Sequence, residues 1–150
     1  YKDKSEEELQ FINNISFGSP GMAENIIKNN IFVFYKNLLD DLINSTGHLN
    51  LKENIVEALN AKDNIFLINV MDLVINDLIQ KTIFYIEHQN YIDYTLDKEK
   101  ELIQKISNNN NTKQIVDLHS QINKNMHLAH VVNLNKSDVL IASLKGLSGI

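Results

Sequence analysis

Between Gly47 and Gly146 the chain contains neither glycine nor proline. Those two residues supply most of the backbone freedom and rigidity that tight turns need, so their absence over so long a stretch leaves room only for regular elements joined by polar loops. The Asn-Gly and Asp-Gly steps that close β-hairpins are missing too. Apolar residues recur at helical spacing throughout, and an all-α fold is the expectation. The only proline, Pro20, lies in the turn Gly18-Ser19-Pro20-Gly21.

Local signals place the elements. Ser5 and Glu8 have the spacing of a capping box and open a helix to about Asn14. Ser19 offers an N-cap with Pro20 at the first helical position, for a short helix to about Asn29. A third helix, Ile31 to Asn44, carries Tyr35, Leu38, Leu39 and Leu42 on one side. Gly47 ends that connection, and Asn50 with Glu53 starts a short helix to about Asn60. The longest helix is expected from about Asp63 to His88. Its polar residues Asn69, Asn76, Gln80 and Glu87 occupy a narrow strip, so neighbours should cover it on more than one side. After a looser segment, 89–95, helices are expected from Asp97 to Ser107, from Asn111 or Thr112 to Val131, and from Asn135 to about Gly146. The second of these has Ile115, Leu118, Ile122, Met126 and Ala129 as its inner stripe. On the last, Leu140, Leu144 and Leu147 form a core stripe, while Val139 and Ile141 flank it about 100° to either side. A terminal helix rarely buries all of that within one domain. Val139, Ile141 and Leu147 are therefore the candidate interface residues.

Composition narrows the function. The chain has no cysteine, which removes disulfides and thiolate metal sites. Its net charge is -5 and its basic residues are all lysine. An acidic chain without arginine lacks the bidentate group that reads phosphate and guanine, which argues against a DNA-reading surface. No apolar run approaches a membrane span and no secretory signal is visible, so a cytoplasmic location is expected. The chain begins with Tyr1, which reads as a fragment of a longer protein.

No catalytic constellation stands out. His127 and His130 share a helix face, with His119 two turns earlier, but the H-E-x-x-H pattern of zinc hydrolases is absent. The acidic groups Glu6-Glu7-Glu8, Asp40-Asp41 and Asp97 to Glu101 read as solvated helix faces or first-turn dipole partners. Tyr91 and Tyr94 read as aromatic anchors of a loop. Neither cofactor nor metal is expected.

Two blocks resemble a known family. Phe11-Ile-Asn-Asn-Ile-Ser-Phe-Gly-Ser-Pro-Gly-Met-Ala23 resembles the end of the AAA+ lid domain in clamp-loader subunits. Asn133-Leu-Asn-Lys-Ser-Asp-Val-Leu-Ile-Ala-Ser-Leu144 resembles the start of the final collar helix in delta-prime subunits of the bacterial DNA polymerase III clamp loader. The resemblance implies a lid tail over 1–29 and a helical collar domain over 30–150. It implies a non-catalytic role in the polymerase holoenzyme, with collar contacts to the motor and delta subunits. DNA and the sliding clamp would be met only through the complex. ATP-hydrolysing loader subunits carry a sensor-2 arginine whose guanidinium reaches the nucleotide. The matching position here is Gly21, which has no side chain, and the slot with Gly18, Ser19 and Pro20 is degenerate. Gly21 thus disfavours a motor subunit, and the Gly-Ser-Pro-Gly turn disfavours delta. Outside the family, the alternatives are a metal-dependent helical hydrolase built on His119, His127 and His130, or a helical nucleic-acid binder.

Overall fold

Eight helices and no strand make up the described residues of the computed structural model, which are 2–45, 48–132 and 135–148. The helices are α1 (Glu6–Ser16), α2 (Pro20–Lys28), α3 (Ile31–Asn44), α4 (Glu53–Asn60), α5 (Ile65–His88), α6 (Asp97–Asn109), α7 (Thr112–Val131) and α8 (Lys136–Ser148). The chain is all-α. Gly47, and Asn133 and Leu134 of the second family-like block, lie outside the described residues. No described helix is long and apolar enough to cross a membrane.

Side-chain caps start α1, α2, α7 and α8 close to where the sequence places them. Ser5 Oγ accepts from the Glu8 amide at 3.1 Å, and Ser19 Oγ accepts from Met22 at 3.3 Å with Pro20 opening α2. Asn111 and Gln114 cap each other reciprocally, at 3.0 and 2.8 Å, which satisfies two amides that the first turn of α7 leaves without partners. Asn135 Oδ1 accepts from Ser137 at 2.9 Å at the start of α8. The Asn50–Glu53 expectation fails. Lys52 stands at the cap of α4 without a side-chain cap bond, and its amide donates instead to Asp41 Oδ2 on α3 at 2.9 Å. Asn50 donates its own amide to Ser45 Oγ at 3.1 Å. A tertiary acceptor has displaced the local one.

α5 is the axis of the molecule. Its 24 residues span about 36 Å at about 1.5 Å each, and α1, α6, α7 and α8 all pack against it. Ile68, Met71, Val74, Ile75, Leu78 and Ile79 are buried along its length, each worth about 1.5–3 kcal/mol of transfer free energy. The apolar core is continuous across residues 29 and 30: Phe11, Ile12, Ile15 and Ile26 belong to the same cluster as Tyr35, Leu38 and Leu39. The Phe11 ring lies 5.3 Å from Tyr35 and 5.4 Å from Phe32. α7 and α8 close over α5 from one side, near enough at Gly146 that a Cβ there would come within 2.9 Å of Leu118 Cδ1.

α3 ends on a cation. Lys105 of α6 donates to the carbonyls of Leu42 and Ile43, both at 3.0 Å, and to that of Ser45. Those carbonyls have no helical donor, and an ammonium at a helix C-terminus also opposes the negative end of the macrodipole. Lys105→Met keeps the stem but orphans the carbonyls, and a loss of about 1–3 kcal/mol is expected in urea unfolding.

Candidate assembly face

Among the described residues, exposed large apolar side chains occur on several elements, and four of them, Ile65, Leu128, Val131 and Val132, lie around the C-terminal end of α7. At the C-terminal end of α7, Leu128, Val131 and the cap residue Val132 are 43%, 62% and 56% exposed. Val131 lies opposite the buried Ile115, Ile122 and Ala129, whereas Leu128 and Val132 lie to one flank of that stripe. Beside Leu128, Asn125 and the α8 residues Asp138, Val139 and Ala142 form a shallow cleft of about 260 Å³. Ile65, 73% exposed at the start of α5, borders a second cavity of about 390 Å³ together with Ala129, His130 and Lys136. Leu128 and Val139 meet across the first cleft and Ile65 borders the second, each beside polar side chains, a mixture found at protein contacts.

The sequence-derived candidates distribute unevenly over this surface. Val139 is half-buried and lines the α7–α8 cleft. Ile141 is half-buried and packs against the core. Leu147 is only 3% exposed: it faces the interior with Leu140 and Leu144 and has no free surface to offer a partner. Leu128, Val131 and Val132 were missed, although α7 carries its apolar residues on two sides, a pattern that one buried stripe does not explain.

At the other family-like block, Gly18 and Ser19 form an exposed turn between α1 and α2, and Pro20 and Gly21, also exposed, begin α2. Gly18 has φ +78°, a conformation that favours glycine. Gly21 has a helical backbone, and a Cβ there would meet nothing within 4 Å, so neither packing nor backbone requires a glycine. Phe17, 80% exposed, ends α1 in the left-handed region at φ 51°.

The histidines do not converge. His119 is hydrogen-bonded through Nε2 to Asn76 Oδ1 of α5 at 2.8 Å, while His127 and His130 are exposed. Among the described residues no group of three His, Asp or Glu side chains is placed to hold a metal ion. Close to the apolar end, half-burial raises the pKa of Asp72 despite opposing contributions from Lys136 and Asn76.

Two of the acidic residues expected on solvated faces or as first-turn dipole partners are buried, although Glu99 does stand in the first turn of α6. Asp41, 3% exposed, accepts from the Lys52 amide. Glu99, 1% exposed, is the hub of a polar centre shared by four helices. Its Oε1 accepts from Lys81 Nζ at 2.8 Å and from the Leu96 amide at 2.9 Å, and its Oε2 accepts from the Tyr35 hydroxyl at 2.6 Å. Lys81 also pairs with Asp77 Oδ2 at 2.7 Å, to which Asn14 Nδ2 of α1 donates at 3.2 Å. The Tyr94 ring lies 5.2 Å from the Lys81 ammonium, while Tyr91 stacks on Tyr85 at 4.6 Å, so both tyrosines anchor the loop as expected. The readable signal was Lys81 itself, three residues from Leu78 and seven from Val74, on the core face of α5.

Folding tightens proton binding at Tyr35 and Lys81 in this centre. Burial, then the Glu99 carboxylate and Asp77, push the Tyr35 phenol well above its ordinary 10.0. Burial works to lower the Lys81 pKa, but Glu99 and Asp77 outweigh it and hold the ammonium above its ordinary 10.5. Both groups bind their protons more tightly folded than unfolded. Their contribution is therefore complete below the unfolded values and is lost as pH rises through the folded ones. Urea midpoints are expected to fall steeply above about pH 10, and less steeply in Tyr35→Phe. An equal alkaline slope in that variant would show that the phenol is not involved.

No protein-family model, curated protein or solved structure matches this chain.

Proposed function

We propose that this chain is a non-catalytic assembly module of the clamp-loader collar type, acting in the cytoplasm as part of a delta-prime-like subunit in DNA replication. In this reading 1–29 is the tail of a lid domain docked on a collar spanning 30–150. The observation that carries the assembly reading is the exposed apolar end built by Leu128, Val131, Val132 and Val139. Removing such side chains from water drives association at roughly 25 cal/mol per Å², and interface energy concentrates in a few central residues of this kind. The clamp-loader identity is supported by the two sequence blocks. Gly21 supports a delta-prime-like member over a motor subunit, since it offers no side chain to a nucleotide phosphate.

The partners are the collars of the motor and delta subunits, with DNA and the sliding clamp engaged only through the complex. Co-purification with the motor subunit's collar tests the reading. A stoichiometric complex is expected. A chain that stays alone, even as part of its full-length subunit, overturns it.

A further inference from the structure

The buried face of α1 consists of Phe11, Ile12, Ile15 and Ser16. Apolar packing of that kind is strong but non-directional, and by itself it tolerates sliding along a groove. The directional contacts of α1 lead into the polar centre. Asn14 Nδ2 donates to Asp77 Oδ2 at 3.2 Å, Asp77 binds Lys81 at 2.7 Å, and Lys81 binds Glu99 at 2.8 Å. Glu99 accepts from Tyr35 at 2.6 Å, and the Tyr35 ring stacks on Phe11 at 5.3 Å with 22° between the planes. The path leaves α1 at Asn14, crosses α5, α6 and α3, and returns to α1 three residues earlier. A third tie reaches the same helix, from the Asp97 amide to Glu7 Oε1 at 3.1 Å.

We propose that this closed circuit is a register lock: it fixes the axial position of α1 on the bundle, which the apolar face alone does not. A shift of α1 by one turn, about 5.4 Å, breaks the Asn14 bond and the Phe11 stack together, so the two ends of the circuit enforce one position cooperatively. Hydrogen bonds lose strength steeply with distance and angle, and buried polar groups without partners are costly. The lock therefore acts by penalising every other register. This inference does not depend on the assembly reading, because the circuit lies away from α7 and α8.

The chain has no cysteine, so spin labels on Gln10→Cys and Lys124→Cys, both exposed positions, report the distance from α1 to α7 without background. The unaltered centre is expected to give a single narrow distance. Two variants release the lock: Asn14→Leu alone, and an apolar centre combining Tyr35→Phe, Asp77→Leu, Lys81→Met and Glu99→Gln, where the glutamine still accepts from the Leu96 amide. Each is expected to keep its helical circular dichroism while the distance splits or broadens, with components displaced by up to about 5.4 Å. A single unshifted distance in either folded variant overturns the proposal. Asn14→Leu leaves every charged pair intact and decides the question if the apolar centre fails to fold.

Discussion

Lys81→Met is expected to destabilise the chain by about 3–5 kcal/mol, the usual cost of removing one partner from a buried ion pair. The methionine fills most of the lysine's volume, so the loss is electrostatic more than steric. It strips the counter-charge from Glu99, 1% exposed, and from Asp77, and leaves a carboxylate that water cannot reach. By contrast, the short Lys98–Asp40 pair has both side chains about a third exposed, and its removal is expected to cost about 0–1 kcal/mol. Urea unfolding of the two variants separates buried from surface charge directly. The double variant Lys81→Met/Glu99→Gln, which also removes the stranded charge, should recover a large part of the loss. A Lys81→Met protein within about 1 kcal/mol of the parent would mean that the centre is hydrated rather than closed.

The second large effect concerns association. Leu128→Asp/Val131→Asp places two carboxylates on the apolar end without touching the core, since Ile122 and Ala129 carry the buried side of α7. Helix content and the urea midpoint should change little. Affinity for the motor subunit's collar should fall by at least about 100-fold, because each aspartate is desolvated without a partner where an apolar contact was lost. Titration calorimetry measures the loss. Val139→Asp, on the opposite wall of the cleft, should act in the same direction, whereas Val33→Asp, an exposed position on α3, should leave binding unchanged. Equal losses at Val33 and Val131 would point to a nonspecific effect of charge.

How much of this was legible in the sequence follows the range of the interactions. α3 is placed to the residue, and α7 begins at Thr112, within the start expected for it. Both depend on neighbours within a few positions. The central place of α5 was legible because its apolar residues wrap most of its circumference. Glu99 was not, because its partners Lys81 and Tyr35 lie 18 and 64 residues away in sequence. Within its own segment Asp97-Lys-Glu-Lys-Glu101 it is indistinguishable from a solvated charge. Asp41 was misjudged for the same reason, its partner being the backbone of Lys52 across a connection. Leu147 shows the converse error: spacing put it on the core stripe, and that was the better guide than its position near the end of the chain. The apolar end was half legible. Val139 was singled out, but Leu128, Val131 and Val132 are more exposed; periodicity puts Leu128 and Val131 off the buried stripe of α7 without showing whether a neighbour covers them.

We propose that the α7–α8 end binds other subunits of a clamp loader. Sedimentation velocity of this chain mixed with the motor and delta subunits tests it most directly. A faster-sedimenting complex containing this chain is expected, and it should be lost when Leu128→Asp/Val131→Asp replaces the parent. A parent chain that sediments alone in that mixture, at micromolar concentrations and also as part of its full-length subunit, would contradict it.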